Sequence, residues 1–198
     1  MPKKIKPPLL SPKFALALQF ANEIHGTQQR KGAGAPYISH LMAVSASVLE
    51  YGGNETEAIA ALLHDAAEDC GGQPMLETVR VMFGDGVAEI VEACTDTMEE
   101  PKPAWRPRKE AYVAHLASAS PSVKLVAGCD KLHNLQTTLR DLRAGQPADY
   151  WSRFTAGAES QAWYYGACGK ALAGSPVASD FGRAYAEFIS LLNERGDL

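Results

Sequence analysis

The sequence predicts an all-α chain folded as a single-domain helical bundle, and three observations carry that expectation. Apolar residues recur at 3.6-residue spacing in nearly every segment. Alternation of β-branched and polar side chains over more than four residues is absent. The 198 residues, 46% apolar and 21% charged, suit one globular core and not a disordered or low-complexity chain.

The elements follow in order. Residues 1–10 form a basic, proline-rich start expected to be flexible, and residues 11–198 are expected to form one folded unit. Ser11 caps a first helix with Pro12 in its first turn, and Phe14, Ala17, Leu18, Ala21 and Ile24 share one face. A glycine-bearing loop, Lys31 to Pro36, ends it. A second helix starts near Ser39 and carries Leu41, Met42, Val44, Val48 and Leu49 to a stop at Gly52-Gly53. Asn54 and Glu57 form a capping box for a third helix, which runs through Ala58–Asp69 to Gly71-Gly72. Two shorter helices, 75–82 and 86–94, flank Gly84. Residues 98–107 hold three prolines and read as a surface loop. Helices are expected at 108–118, at 122–143 with Ser122 as cap, at 150–172 and at 180–194.

Composition narrows the function classes. Net charge is −4, so no nucleic-acid partner is expected, and an anionic ligand would need a local basic patch or a metal. No apolar run reaches the roughly 18 residues of a membrane span, and no secretory core follows the basic start, so no membrane partner is expected. Cys70, Cys94, Cys129 and Cys168 contain no C-x-x-C pair. That spacing argues against a zinc cluster or disulfide framework and for a reducing, cytoplasmic setting.

The sharpest chemical feature is His64-Asp65-Ala66-Ala67-Glu68-Asp69, directly after the apolar run Ala58–Leu63. On a continuous helix, Glu68 falls four residues after His64, and Asp69 four after Asp65. One face would then present all four ionisable groups to a common point. Burying them beside a core is costly unless they are paired or hold a metal. An exposed acidic turn is the alternative, but acids at a helix C-terminus oppose the helix dipole. A His-Asp dipeptide alone is weak. His40 after Pro36-Tyr37-Ile38-Ser39, and Asp130 in Cys129-Asp130-Lys131-Leu132-His133-Asn134, widen the pattern. Either alone would read as a structural residue; together they read as a site.

In these blocks the chain resembles the HD-domain metal-dependent phosphohydrolases. Within them it is similar to the small alarmone hydrolases of the Mesh1 type and to the hydrolase half of the Rel/SpoT enzymes. Arg30-Lys31, Pro36-Tyr-Ile-Ser-His40, the 61–69 block, Phe83-Gly84 with Thr95-Asp96, and Cys129 to Leu135 occur in family order across residues 14–143. Cys129 stands where the family usually has Ala. The resemblance implies that His40, His64, Asp65 and Asp130 hold one divalent metal per chain, usually Mn²⁺. Two imidazoles and two carboxylates, with water completing six positions, suit that ion better than a sulfur-rich zinc site. It further implies that Glu68 and Asp69 are the catalytic acid–base pair. Arg30 and Lys31 would meet the nucleotide, with the Arg30 guanidinium stacked on the base. Lys131 and Asn134 flank Asp130, and Asn134 faces the same way, where it could meet a ribose or base. Arg108 and Lys109 (with Arg106) could grip a distal diphosphate, although a solvated helix start reads equally well.

The implied activity is Mn²⁺-dependent removal of the 3′-pyrophosphate from a purine alarmone, (p)ppGpp or (p)ppApp. Another HD nucleotide phosphohydrolase, a nucleotidase or an NADPH 2′-phosphatase, remains an alternative, as does a non-catalytic nucleotide-binding module. His25, His115 and His133 match no metal position and read as structural or surface groups, and Trp105, Trp151 and Trp163 read as packing. Residues 150–194 are expected to supply packing helices, with self-association to a homo-oligomer left open.

Overall fold

The computed structural model describes residues 9–31, 34–145 and 148–198. Most of the expected flexible start, residues 1–8, lies outside the described residues, as do Gly32 and Ala33 of the glycine loop. Ten α-helices are described: α1 Pro12–Ile24, α2 Ile38–Glu50, α3 Glu55–Leu63, α4 Ala66–Cys70, α5 Gly72–Phe83, α6 Asp85–Cys94, α7 Trp105–Ser118, α8 Pro121–Arg143, α9 Ala158–Ala171 and α10 Ala178–Arg195. A 3₁₀ turn, Ala148–Arg153, follows α8. No strand forms among the described residues; a single bridge, Gln29 to Pro36, ties the two ends of the glycine loop.

The helix α3 is the centre of the bundle. Every residue from Ala58 to Leu63 is at most 1% exposed, with α1, α2, α6 and α8 packed around it. A helix without a polar face must be surrounded in this way. The Asn54–Glu57 capping box starts it, the Asn54 side chain accepting from Glu57 N–H while the Glu57 carboxylate accepts from Asn54 N–H. Ser11 caps α1 as the sequence predicts.

Four expectations need correction. The third helix does not run unbroken to Asp69: it stops at Leu63, and α4 starts at Ala66. His64 Nδ1 donates to the Ala61 carbonyl at 2.8 Å, the acceptor that a continuing helix would offer to the Asp65 N–H. The side chain thus competes with the backbone and turns the chain at the His-Asp pair. The cap of α8 is Ser120, not Ser122, because Pro121 takes the first helical position and Ser120 Oγ accepts from Val123 N–H. The helix α7 starts at Trp105, inside the stretch expected to be loop. Finally, 150–172 is not one helix. Asp141 of α8 accepts from both Arg153 and Tyr150, at 2.6 and 3.2 Å, which holds a 3₁₀ turn. The chain then passes through an extended Gly157 before α9 begins.

Gly128 shows why α8 tolerates no larger residue there. A Cβ on Gly128 would overlap Val177 Cγ1 and lie 3.2 Å from Leu172 Cδ2, so α8 presses directly on the segment joining α9 to α10. Gly128→Ala should therefore destabilise the protein by about 1–2 kcal/mol, the overpacking cost exceeding the roughly 1 kcal/mol gain in helix propensity. Thermal denaturation checks this: Tm should fall by a few degrees, and an unchanged or raised Tm would contradict the close approach.

Candidate active site

Three segments deliver four side chains to one buried point. His40 sits in the first turn of α2, His64 and Asp65 occupy the turn between α3 and α4, and Asp130 projects from the middle of α8. Ligand-capable atoms of His40, His64 and Asp65 all lie within 4.8 Å of one another. Asp130 Oδ1 is 3.1 Å from His40 Nε2 and 3.5 Å from His64 Nε2. Atoms about 2.1 Å from one common ion lie roughly 3–4 Å apart, so one divalent cation fits this spacing.

The hydrogen bonds around the cluster make the same point independently. A carbonyl only accepts, so the proton of neutral His64 is on Nδ1, facing Ala61 O. Its Nε2 then carries a bare lone pair. That atom is buried and has no hydrogen-bond partner among the described residues, although Asp65 Oδ2 is 3.0 Å away. A lone pair and two carboxylates pointed at one another call for a cation between them.

The charges agree. Burial opposes protonation of His64, but Asp65 and Asp130 outweigh it and push its pKa well up. Burial pushes His40 down, with Asp130 partly offsetting the effect. Burial would raise the carboxyls of Asp65 and Asp130. His64 wins at Asp65, and Lys131 together with His64 wins at Asp130, so both are held below the usual carboxylate range. The cluster is thus an anionic pair seeking positive charge, which a proton on His64 or a metal ion can supply.

Neighbouring groups fix each member in place. Tyr37 OH donates to Asp65 Oδ2 at 2.6 Å. Asp130 accepts from Lys131 Nζ and from Asn134 Nδ2, each at 2.6 Å. His40 Nδ1 lies 2.8 Å from His133 Nδ1. Burial, with His40 close by, holds His133 down at about 4, so it is neutral at pH 7. Cys129, one residue from Asp130, is buried and its thiol is pushed up to about 12, so it stays protonated and offers no thiolate.

A cleft of about 530 Å³ opens beside the cluster, lined by Asp65, Glu68, Asp69, Arg30, Lys31, Lys109 and Asn134 among others. Glu68 accepts from Lys102 Nζ at 2.9 Å and from Asp96 N–H at 3.3 Å. Asp69 accepts from Gln28 at 2.8 Å. Arg30 donates to Asn134 Oδ1 at 2.9 Å, which joins two residues 104 positions apart into one unit. Lys109 contacts Asp96 at 2.6 Å, yet burial and the neighbouring Lys131 pull it down to about 7.

Other predicted groups point elsewhere. Arg108 is ion-paired to Asp96 and does not line the cleft. Lys131 is spent on Asp130, and Arg106 stacks 3.5 Å above the Trp163 ring. Several groups in the cleft carry no signal in the sequence. Lys102 lines the cleft from between Pro101 and Pro103, where nothing in the sequence distinguished it. Tyr37 lay within the quoted Pro-Tyr-Ile-Ser-His block without a role. Tyr150, Arg153, Gln161 and Tyr164 also line the cleft, from a segment with no motif.

Comparison with known proteins comes to the same place. The HD-domain family profile matches residues 17–151. A Xenopus tropicalis protein named guanosine-3′,5′-bis(diphosphate) 3′-pyrophosphohydrolase MESH1 is 38% identical over 139 residues, 69% of this chain and 72% of that protein. The Homo sapiens protein of the same name is 39% identical over 140 residues, with the same coverage. A solved structure described as a metazoan ortholog of SpoT that hydrolyzes ppGpp superposes with a TM-score of 0.71 at 28% identity. It covers 98% of this chain and 100% of its own.

Metal removal tests the cluster. Wild-type protein should bind one divalent cation per chain, and saturating Mn²⁺, at a hundredfold excess over Kd, should stabilise it by about 2.7 kcal/mol. His64→Ala and Asp65→Ala should each abolish that Tm shift. Melting that is identical in Mn²⁺ and in EDTA would contradict the metal assignment.

Proposed function

This chain belongs to the HD-domain family, and on that premise we propose that it hydrolyses the 3′-pyrophosphate of a purine alarmone, (p)ppGpp or (p)ppApp. Pyrophosphate and a nucleoside 5′-di- or triphosphate would be released. The observation that carries this reading is the juxtaposition, in one cleft, of Asp65 from the His/Asp cluster, the carboxylates Glu68 and Asp69, and the cations Arg30, Lys31, Lys102 and Lys109. The names borne by relatives 38% and 39% identical support it.

His40, His64, Asp65 and Asp130 would hold one Mn²⁺, which when bound supplies Lewis-acid polarisation of a phosphoryl oxygen and acidification of water. Protein groups do the rest. Glu68, ion-paired to Lys102, takes the proton of the attacking water. Burial raises the Asp69 carboxyl, and Asp65 and Glu68 raise it further. Asp69 therefore keeps a proton more readily than an ordinary aspartate, and it protonates the leaving oxygen. Lys102, Lys109 and Lys31 neutralise phosphate charge, and they do so locally, since the whole chain carries −4. Arg30 and Asn134, already hydrogen-bonded to each other, form the end of the cleft that receives the base and sugar. The four free thiols support a cytoplasmic setting.

Purified protein with ppGpp, ppApp or NADPH, in Mn²⁺ or EDTA, tests the proposal. Pyrophosphate should be released from an alarmone, in Mn²⁺ only. Glu68→Gln should keep Mn²⁺ and nucleotide affinity while kcat falls by about 10² or more. Phosphate release from NADPH with both alarmones untouched would replace this reading with a 2′-phosphatase.

A further inference from the structure

His133 lies outside the four-residue cluster, yet its ring faces His40 with 4.9 Å between centroids and Nδ1 against Nδ1 at 2.8 Å. Two nitrogens at that distance share one proton, and the two ways of placing it have opposite consequences. If His133 donates, the proton of neutral His40 is on Nε2 and points at Asp130 Oδ1, 3.1 Å away. That arrangement ties His40 to Asp130 and withdraws its lone pair. If His40 donates, its Nε2 lone pair is free on the side where Asp65, His64 and Asp130 converge.

Resting on the metal reading above, we propose that His133 is a positioning residue. Its Nδ1 accepts the His40 Nδ1 proton and thereby selects the His40 tautomer that can bind a divalent cation. His64 has its own fixed partner in the Ala61 carbonyl, and Asp65 has one in Tyr37. A carbonyl can only accept, whereas an imidazole can do either. The proton on His133 must therefore sit on Nε2, and the half-buried ring borders the groove between α8 and α10. His133 and His40 are 93 residues apart, so this partner is set by the packing of α2 on α8.

Mn²⁺ titration of metal-stripped protein by calorimetry reads the effect without reference to turnover. His133→Leu fills similar space without an acceptor and should weaken Mn²⁺ binding about 10–100-fold. His133→Asn places its Oδ1 where Nδ1 was and should restore affinity to within about threefold of wild type. Wild-type affinity in the Leu variant, or equal loss in folded Leu and Asn variants, would overturn the proposal. A second readout needs no variant: imidazole ¹⁵N shifts of the Zn²⁺-loaded wild type should show His40 protonated on Nδ1 and His133 on Nε2. The reverse pattern would overturn it too. If the Leu variant loses affinity and the Asn variant keeps it, but no alarmone is cleaved by the wild type, the positioning role stands and the alarmone reading fails. If the wild type binds neither ion, both fall together.

Discussion

A buried carboxylate, Asp130, and a half-buried one, Asp65, both facing two imidazoles, form the constraint on which the rest of the structure depends. Asp130 is 4% exposed, and His40 and His64 are 1% and 2%. Such a cluster is unfavourable in a protein interior unless something positive sits within it. Lys131 neutralises the far oxygen of Asp130, whereas among the described residues Asp65 Oδ2 meets Tyr37 OH and the imidazoles of His64 and His40, so its charge is balanced by a proton on His64 or by a bound cation. The packing of α2, the α3–α4 turn and α8 therefore makes sense as the frame of a cation site. The helix α3, buried from Glu57 to Leu63, packs behind that frame.

Each member of the cluster is held from behind by a different segment. Ala61 O turns His64, Tyr37 turns Asp65, His133 turns His40, and Asn134 with Lys131 turns Asp130. The His64 bond also ends α3 and starts α4, so the helix break and the ligand orientation are one event. It places Asp65 apart from Glu68 and Asp69: the first points into the cluster, and the others bond Lys102, Asp96 and Gln28 along the cleft. On the proposed reading Glu68 and Asp69 stand beside the metal but outside its ligand set, the placement that water activation requires.

Much of this was legible in sequence because it rests on local rules. Spacing exposes α1 and α2, the Asn54–Glu57 box marks the start of α3, and the unbroken apolar run before His64 marks its burial. The four cluster residues came from the joint motif and not from any one of them. What stayed hidden depends on contacts between distant segments. The α3 break needs a side chain to outcompete a backbone donor. The 3₁₀ turn after α8 needs Asp141 to capture Tyr150 and Arg153. His133 looks like an ordinary helix residue until α2 is laid against α8. Lys102 sits among prolines with no periodicity, and only the fold brings it to Glu68.

The cleft resolves an apparent conflict of charge. A chain of net charge −4 is ill suited as a whole to a polyanion, yet Arg30, Lys31, Lys102 and Lys109 all line one cleft, beside a cluster able to hold a divalent cation. What occupies the point between His40, His64, Asp65 and Asp130 is therefore decisive. Anomalous X-ray diffraction from a crystal grown with Mn²⁺, at a wavelength near the manganese edge, tests it most directly. One strong peak per chain is expected, bonded by His40 Nε2, His64 Nε2 and a carboxylate oxygen from each of Asp65 and Asp130. A map with no peak there, or with the ion held by other residues, would contradict the metal assignment.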